Sequence, residues 1–155
     1  MLCVHIPGRG ELLLSHLVLD YNGTIALDGD LISGVAPRLA ALAQDLDILV
    51  MTADTHGTAA KACNGLPVRV LTFPVEAVGE IKAREVLKLQ GGVACVGNGF
   101  NDVAMAEACD LSVCVMGSEG CCGALMAKCD VVVTSVTDAL DLLLKPQRLR
   151  ATLRA

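Results

Sequence analysis

The sequence predicts an α/β protein, a three-layer, doubly wound (Rossmann-like) parallel sheet with helices on both faces. Three observations lead there. Short apolar runs alternate with segments of helical character along the chain, the pattern of βαβ units joined by right-handed crossovers. Apolar residues make up 54% of the sequence but aromatics only 2%, which describes a Val, Leu, Ala and Cys core such as a covered parallel sheet needs. At 155 residues the chain fits one domain, 1–155, with no linker, repeat or low-complexity stretch to divide it.

The elements follow in order. After a short N-terminal apolar run and the turn Pro7-Gly8-Arg9-Gly10, the segment Glu11 to Asp20 reads as a buried strand bounded by turn residues. Further strands are expected at Asp47 to Thr52, Val68 to Phe73, Val93 to Gly97, Leu111 to Met116 and Val131 to Thr134. Helices are expected at Gly34 to Gln44, Thr55 to Cys63, Val75 to Leu89, Asn101 to Cys109, Glu119 to Ala127 and Val136 to Leu144. In such sheets ligands bind beyond the carboxyl ends of the strands. Asp20, Thr52 and the loop from Gly97 to Asp102 all fall at those ends.

A formal charge of −5 and the lack of aromatic platforms argue against nucleic acid as a partner. No apolar run approaches the roughly 20 residues that span a bilayer, so no membrane is expected either. Charge is uneven: Lys145, Arg148, Arg150 and Arg154 lie in a tail, about 145–155, without an acid, which leaves 8 basic against 17 acidic residues elsewhere. The plainest reading of the tail is a solvated basic segment. Eight cysteines lie mostly within apolar runs, with no Cys-x-x-Cys pair and no leader-like start, so a cytoplasmic protein with reduced thiols is expected. The vicinal pair Cys121-Cys122 is the one candidate for redox chemistry, and no activating charge pattern accompanies it.

The chemistry concentrates around Asp20. It closes an apolar strand and precedes Asn22-Gly23-Thr24, where a glycine permits close backbone approach and free N–H groups can face an anion. Alone, such a segment is more often a tight turn. Thr52 puts a hydroxyl at the next strand end just before a helix N-terminus, a place for a phosphoryl group, although Thr52 or Asp54 can equally serve as a helix cap. Lys82 can neutralise phosphate charge from an early helical turn or stand solvated. The loop Gly97-Asn98-Gly99-Phe100-Asn101-Asp102 offers oxygen ligands of the kind Mg2+ prefers.

Taken in order, Asp-x-Asn-Gly-Thr, a strand-end Thr, a Lys and Gly-Asn-Gly-x-Asn-Asp resemble the four motifs of the haloacid dehalogenase-like hydrolases, over Leu12 to about Leu144. Residues Leu142 to Arg154 also resemble the small soluble proteins related to P-type ATPase phosphorylation domains. The resemblance implies a capless fold and a Mg2+-dependent phosphohydrolase in which Asp20 attacks phosphorus and becomes an aspartyl phosphate. Asn22, Thr52 and Lys82 would complete the catalytic set. Gly23, Thr24, Thr52, Ala53, Lys82 and Asn101 would bind phosphate, and Asp20, Asn22, Asn98 and Asp102 would bind Mg2+.

Two departures bear on turnover. Phosphatases of this superfamily commonly carry a second Asp where this chain has Asn22, and an amide cannot shuttle the proton, a loss of roughly 10²- to 10⁴-fold in rate. Asn98 likewise stands where an Asp is common, which weakens the metal site. Only 27 residues separate Thr24 from Thr52 and 29 separate Thr52 from Lys82, so neither usual cap insertion fits and the site should be open. Capless relatives often cover the site by oligomerising. The expectation is a homo-oligomer, a tetramer favoured, acting on a small phosphorylated substrate, with Arg148 to Arg154 reaching a neighbouring site. The alternatives are a non-enzymatic phosphate- or nucleotide-binding module and, on the P-type ATPase likeness alone, ATP hydrolysis, for which the chain has no Gly-x-x-x-x-Gly-Lys-Ser/Thr loop.

Overall fold

The computed structural model describes residues 1–54 and 57–155. Its centre is strand β2 (Gly10–Asp20), whose Leu17, Val18 and Leu19 are fully buried on both faces. Two-sided burial is why this stretch reads as a continuous apolar run rather than an alternation. Parallel neighbours flank it: β5 (Asp47–Thr52) pairs Met51 with Asp20, and β7 (Gly92–Gly97) pairs Val96 with Leu19. Outside β5 lies β6 (Arg69–Thr72), and outside β7 lie β8 (Leu111–Val115) and β9 (Val131–Val133). The parallel order is β6-β5-β2-β7-β8-β9, so the chain reverses its direction of winding beside β2. That reversal makes the end of β2 the natural crevice of the sheet.

Helices cover both faces. On one, α1 (Val35–Leu42), α2 (Thr58–Ala62) and α6 (Val136–Leu144) pack over Leu17, Leu19, Val50 and Val96. On the other, α3 (Val78–Leu87) and α4 (Val103–Ala108) pack over Val18, Met51 and Cys95, with α5 (Gly123–Met126) beside α4. The doubly wound parallel sheet is therefore as expected. Helix α3 starts later than the pattern suggests because Ala77 takes φ 60, which helical geometry does not admit. The expected start of the preceding helix at Thr55 lies outside the described residues.

Four features differ from expectation. The N-terminal run forms β1 (Leu2–Ile6), antiparallel to the first half of β2 through the Pro7-Gly8-Arg9 turn. A short hairpin, β3 (Ala26–Leu27) with β4 (Asp30–Leu31), turns on Asp28-Gly29, both at positive φ, as an Asp-Gly hairpin turn requires. The basic tail keeps its charges in solvent, with Lys145, Arg148, Arg150 and Arg154 exposed, but it is not loose: Pro146–Leu153 is helix α7, with Leu149 and Leu153 buried in the main core. Its end meets the β1–β2 turn, where the Ala155 N–H donates to the Pro7 carbonyl at 3.1 Å. That turn adjoins Gly10, ten strand residues and roughly 33 Å from Asp20, so the tail is committed to its own core at the end of the sheet away from the site.

The fourth difference is in the cysteines. Cys114 and Cys121 are joined by a disulfide, so the thiols are not all reduced, and Cys121 pairs across the loop rather than with Cys122. The cause is the loop after β8. Gly117 and Gly120 bridge, which folds residues 117–122 back onto β8 and leaves only Gly123–Met126 of the expected Glu119 to Ala127 helix. No helix among the described residues is long and apolar enough to cross a membrane.

Candidate active site

The strand ends of β2, β5 and β7 meet around an open cleft of about 720 Å³, lined among others by Asp20, Asn22, Thr52, Ala53, Asn98 and Asn101. Beneath it lies a buried charge cluster, of which Asp20 alone lines the cleft. The Lys82 ammonium donates to Asp20 Oδ1 at 2.6 Å and to Asp102 Oδ1 at 2.7 Å. Lys82 and Asp102 are fully buried, and Asp20 nearly so. The pattern that buries Lys82 was readable in the sequence: Val78, Lys82 and Val86 recur at four-residue spacing, and all three are the buried residues of α3.

Two carboxylates against one ammonium leave a net negative charge in a buried place. Burial pushes Asp20 up to about 6 from its usual 3.8, with the Asp102 charge adding to the rise and Lys82 opposing it. Burial disfavours the charge on Lys82, but Asp20 and Asp102 outweigh it and raise the ammonium above its ordinary value. Asp102 is held in place from its other oxygen, which accepts the N–H groups of Asn98 at 3.1 Å and Gly99 at 3.0 Å. A Cβ on Gly97 would lie 2.5 Å from the Asp102 carboxyl, so a glycine is required there for the carboxylate to sit against the strand end.

The Asn22-Gly23-Thr24 turn differs from the expected phosphate cradle. The Gly23 N–H donates to the Ala26 carbonyl at 2.8 Å and the Thr24 N–H to the Tyr21 carbonyl at 3.2 Å, so neither is free to face an anion. Both residues are buried, and neither lines the cleft. Thr24 reaches Asp20 instead: its hydroxyl lies 3.1 Å from Asp20 Oδ2 and 3.2 Å from Asn98 Oδ1. Gly23 has φ 78, and a Cβ there would run into the Asn98 amide and the Glu119 carboxylate.

Thr52 is buried at the end of β5, and its Oγ accepts the Asp54 N–H at 3.1 Å. The expected helix N-terminus is not immediately behind it, since α2 begins at Thr58. Asp54 supplies the cap, its Oδ2 accepting the Ala59 N–H at 2.7 Å. Asn22 and Asn101 are exposed in the cleft, and Asn98 is pinned by its own Nδ2 donating to the Gly120 carbonyl at 3.3 Å. Glu119 was missed as a site residue. It lines the cleft and touches Gly23, and the strand-end rule applied to β8 would have pointed to it.

The side-chain oxygens gathered here are those of Asp20 and Asn98 on the cleft and, buried behind them, the Asp102 carboxylate. With the uncompensated negative charge, that chemistry fits a hard divalent cation such as Mg2+. Among the described residues no three His, Cys, Asp or Glu gather as a metal cluster, so two carboxylates and neutral oxygens would have to suffice.

No protein-family model matches the chain. It is 39% identical over 82 residues to the uncharacterized protein MJ0073 of Methanocaldococcus jannaschii, covering 51% of this chain and 88% of that protein. Among solved structures it is similar to the 3-deoxy-D-manno-octulosonate 8-phosphate phosphatase of Moraxella catarrhalis, seen with magnesium, phosphate and KDO. That similarity has TM-score 0.69 at 14% identity and covers 89% of this chain and 90% of that one. It is also similar to part of a zinc-transporting PIB-type ATPase, at TM-score 0.64 and 21% identity, covering 79% of this chain and 20% of the pump. The chain belongs with MJ0073 in one family, and it is built on the haloacid dehalogenase-like fold.

Proposed function

We propose that the protein is a Mg2+-dependent phosphohydrolase, slow or narrow in scope, that works on small phosphorylated substrates through an aspartyl phosphate on Asp20. The observation that carries this reading is the Asp20 carboxylate itself, at the end of the central strand on an open cleft, with one oxygen held by Lys82 and the other by Thr24. Side chains so fixed present a nucleophile without further ordering at the moment of attack. Asp20 would form the bond to phosphorus while the ester oxygen departs, and water would then displace the phosphoryl group from Asp20. Thr52 would hold a phosphoryl oxygen, with Ala53 and Asn101 on the cleft wall, and Lys82 would fix Asp20 from beneath. Asp20, Asp102, Asn98 and the Asn22 carbonyl would hold Mg2+, whose contribution is to neutralise phosphoryl charge.

Asn22 occupies the cleft position from which an acid would serve both steps, and its amide neither protonates the leaving oxygen nor activates water. Formation of the aspartyl phosphate is thus better provided for than its breakdown. The test is acid-quenched mass spectrometry after incubation with phosphomonoesters and Mg2+. A phosphoryl adduct on the peptide containing Asp20, absent in Asp20→Asn, is the expected result. Phosphate binding without any adduct would instead favour a phosphate-binding module, the reading that Asn22 also suits.

A further inference from the structure

The chain has two Phe and one Tyr, and it leaves one of these three aromatics on the surface: Phe100 is 74% exposed at the mouth of the cleft. Facing the same mouth, Val75 is 63% exposed. Behind them an apolar hollow of about 430 Å³ continues away from Asp20, and Val75, Val78, Phe100 and Asn101 line both it and the cleft. The apolar surface is therefore continuous with the place where a phosphoryl group would meet Asp20, within reach of whatever that group is attached to. Among the described residues that line these spaces the charges share one sign. Asp54 and Glu119 line the cleft, and Glu80 and Glu107 line the hollow, where Glu107 is answered by Lys128 at 2.7 Å. Among the described residues lining either space there is no Lys, Arg or His.

We infer that the substrate is a phosphomonoester whose organic half is apolar, of aryl or arylalkyl type, and bears no second anionic group. This rests on the phosphohydrolase reading of Asp20. Phe100 and Val75 are specificity residues that cover the flat apolar group, which an aromatic face does well. The carboxylates of Asp54, Glu119 and Glu80 reject a second anion, which would find no cation among the described residues lining either space.

Calorimetry with Mg2+ tests this on the wild-type protein, using benzylphosphonate, ethylphosphonate and (4-carboxybenzyl)phosphonate, whose P–C bonds are not hydrolysed, beside inorganic phosphate. Benzylphosphonate should bind about tenfold more tightly than either of the others. Phe100→Ala and, separately, Val75→Ala should shrink the benzyl-to-ethyl ratio several-fold, and Glu119→Gln should shrink the penalty for the carboxylate. Because both hydrophobic side chains are exposed, neither variant threatens the fold. If phosphate binds but benzylphosphonate gains nothing over the ethyl or carboxybenzyl compounds, the inference is overturned and the apolar ridge is left to a macromolecular partner. If no compound binds, inorganic phosphate included, the phosphohydrolase reading falls and takes this one with it.

Discussion

Lys82 and Asp20 form a buried ion pair at 2.6 Å, and the same ammonium holds Asp102 at 2.7 Å, so one side chain from α3 ties together the ends of β2 and the loop after β7. Removing it would leave two carboxylates facing each other without a counter-charge. Lys82→Met should destabilise the fold by about 3–5 kcal/mol, because breaking a buried pair strands its partner. Millimolar Mg2+ should return part of that loss if the same oxygens bind it. Urea denaturation with and without Mg2+ measures both, and a Lys82→Met protein as stable as wild type would show that the cluster contributes nothing to the fold.

Asn22 gives the second prediction. It is exposed in the cleft, so Asn22→Asp adds an acid without burying a charge. Turnover of a phosphomonoester should rise by about 10²-fold or more, and the lifetime of the Asp20 adduct should shorten. Rapid-quench kinetics follow both. An unchanged adduct lifetime would mean that the missing acid does not limit this site.

The strand ends were legible because parallel strands buried on both faces write themselves as apolar runs, and those of β2 and β5 stop on polar residues, Asp20 and Thr52, that line the cleft. Asp102 follows from the loop after β7 rather than from a strand end. What the hydrogen atoms of the Gly23 turn do was not legible. An Asn-Gly-Thr segment offers its N–H groups equally to an anion or to its own carbonyls, and the Tyr21 and Ala26 carbonyls that capture them are local partners of no distinctive type. The tail was misjudged for a different reason. Its four basic residues mask a two-residue apolar stripe, Leu149 and Leu153, and Lys145 and Arg148 answer a carboxylate, Asp141, whose pairing depends on tertiary contact.

That carboxylate yields a prediction for pH. Hydrogen bonds from Arg38 at 2.8 Å and Lys145 at 2.9 Å hold Asp141 down to about 2, below its ordinary 3.8. A carboxylate depressed in the folded state contributes stability that is fully present above the unfolded value and is lost as pH falls through the folded one. The link between α1, α6 and α7 should therefore weaken between about pH 4 and pH 2. Asp141→Asn should lower stability at neutral pH and flatten that part of the acid denaturation profile. Identical profiles for the two proteins would show that the pairing does not survive in solution.

The cysteines can be counted directly. The chain has eight and the structure leaves six free, so alkylation of the unfolded, unreduced protein should label six, and labelling after reduction should reach eight. The Cys114–Cys121 bond closes a short loop, seven residues apart in sequence, and in chain-entropy terms such a loop stabilises by roughly 2–3 kcal/mol. The consequence reaches the site, because the bonded loop carries Gly120, whose carbonyl holds Asn98, and Cys122, whose N–H donates to the Asn98 carbonyl at 2.8 Å. Cys121→Ser should therefore lower the unfolding midpoint and also weaken Mg2+ binding, since Asn98 is one of the few oxygens the metal would have. Titration of Mg2+ against oxidised and reduced wild-type protein should show the same loss on reduction. Equal affinity in the two states would mean that Asn98 is held well enough by Thr24 and Gly120 without the bond.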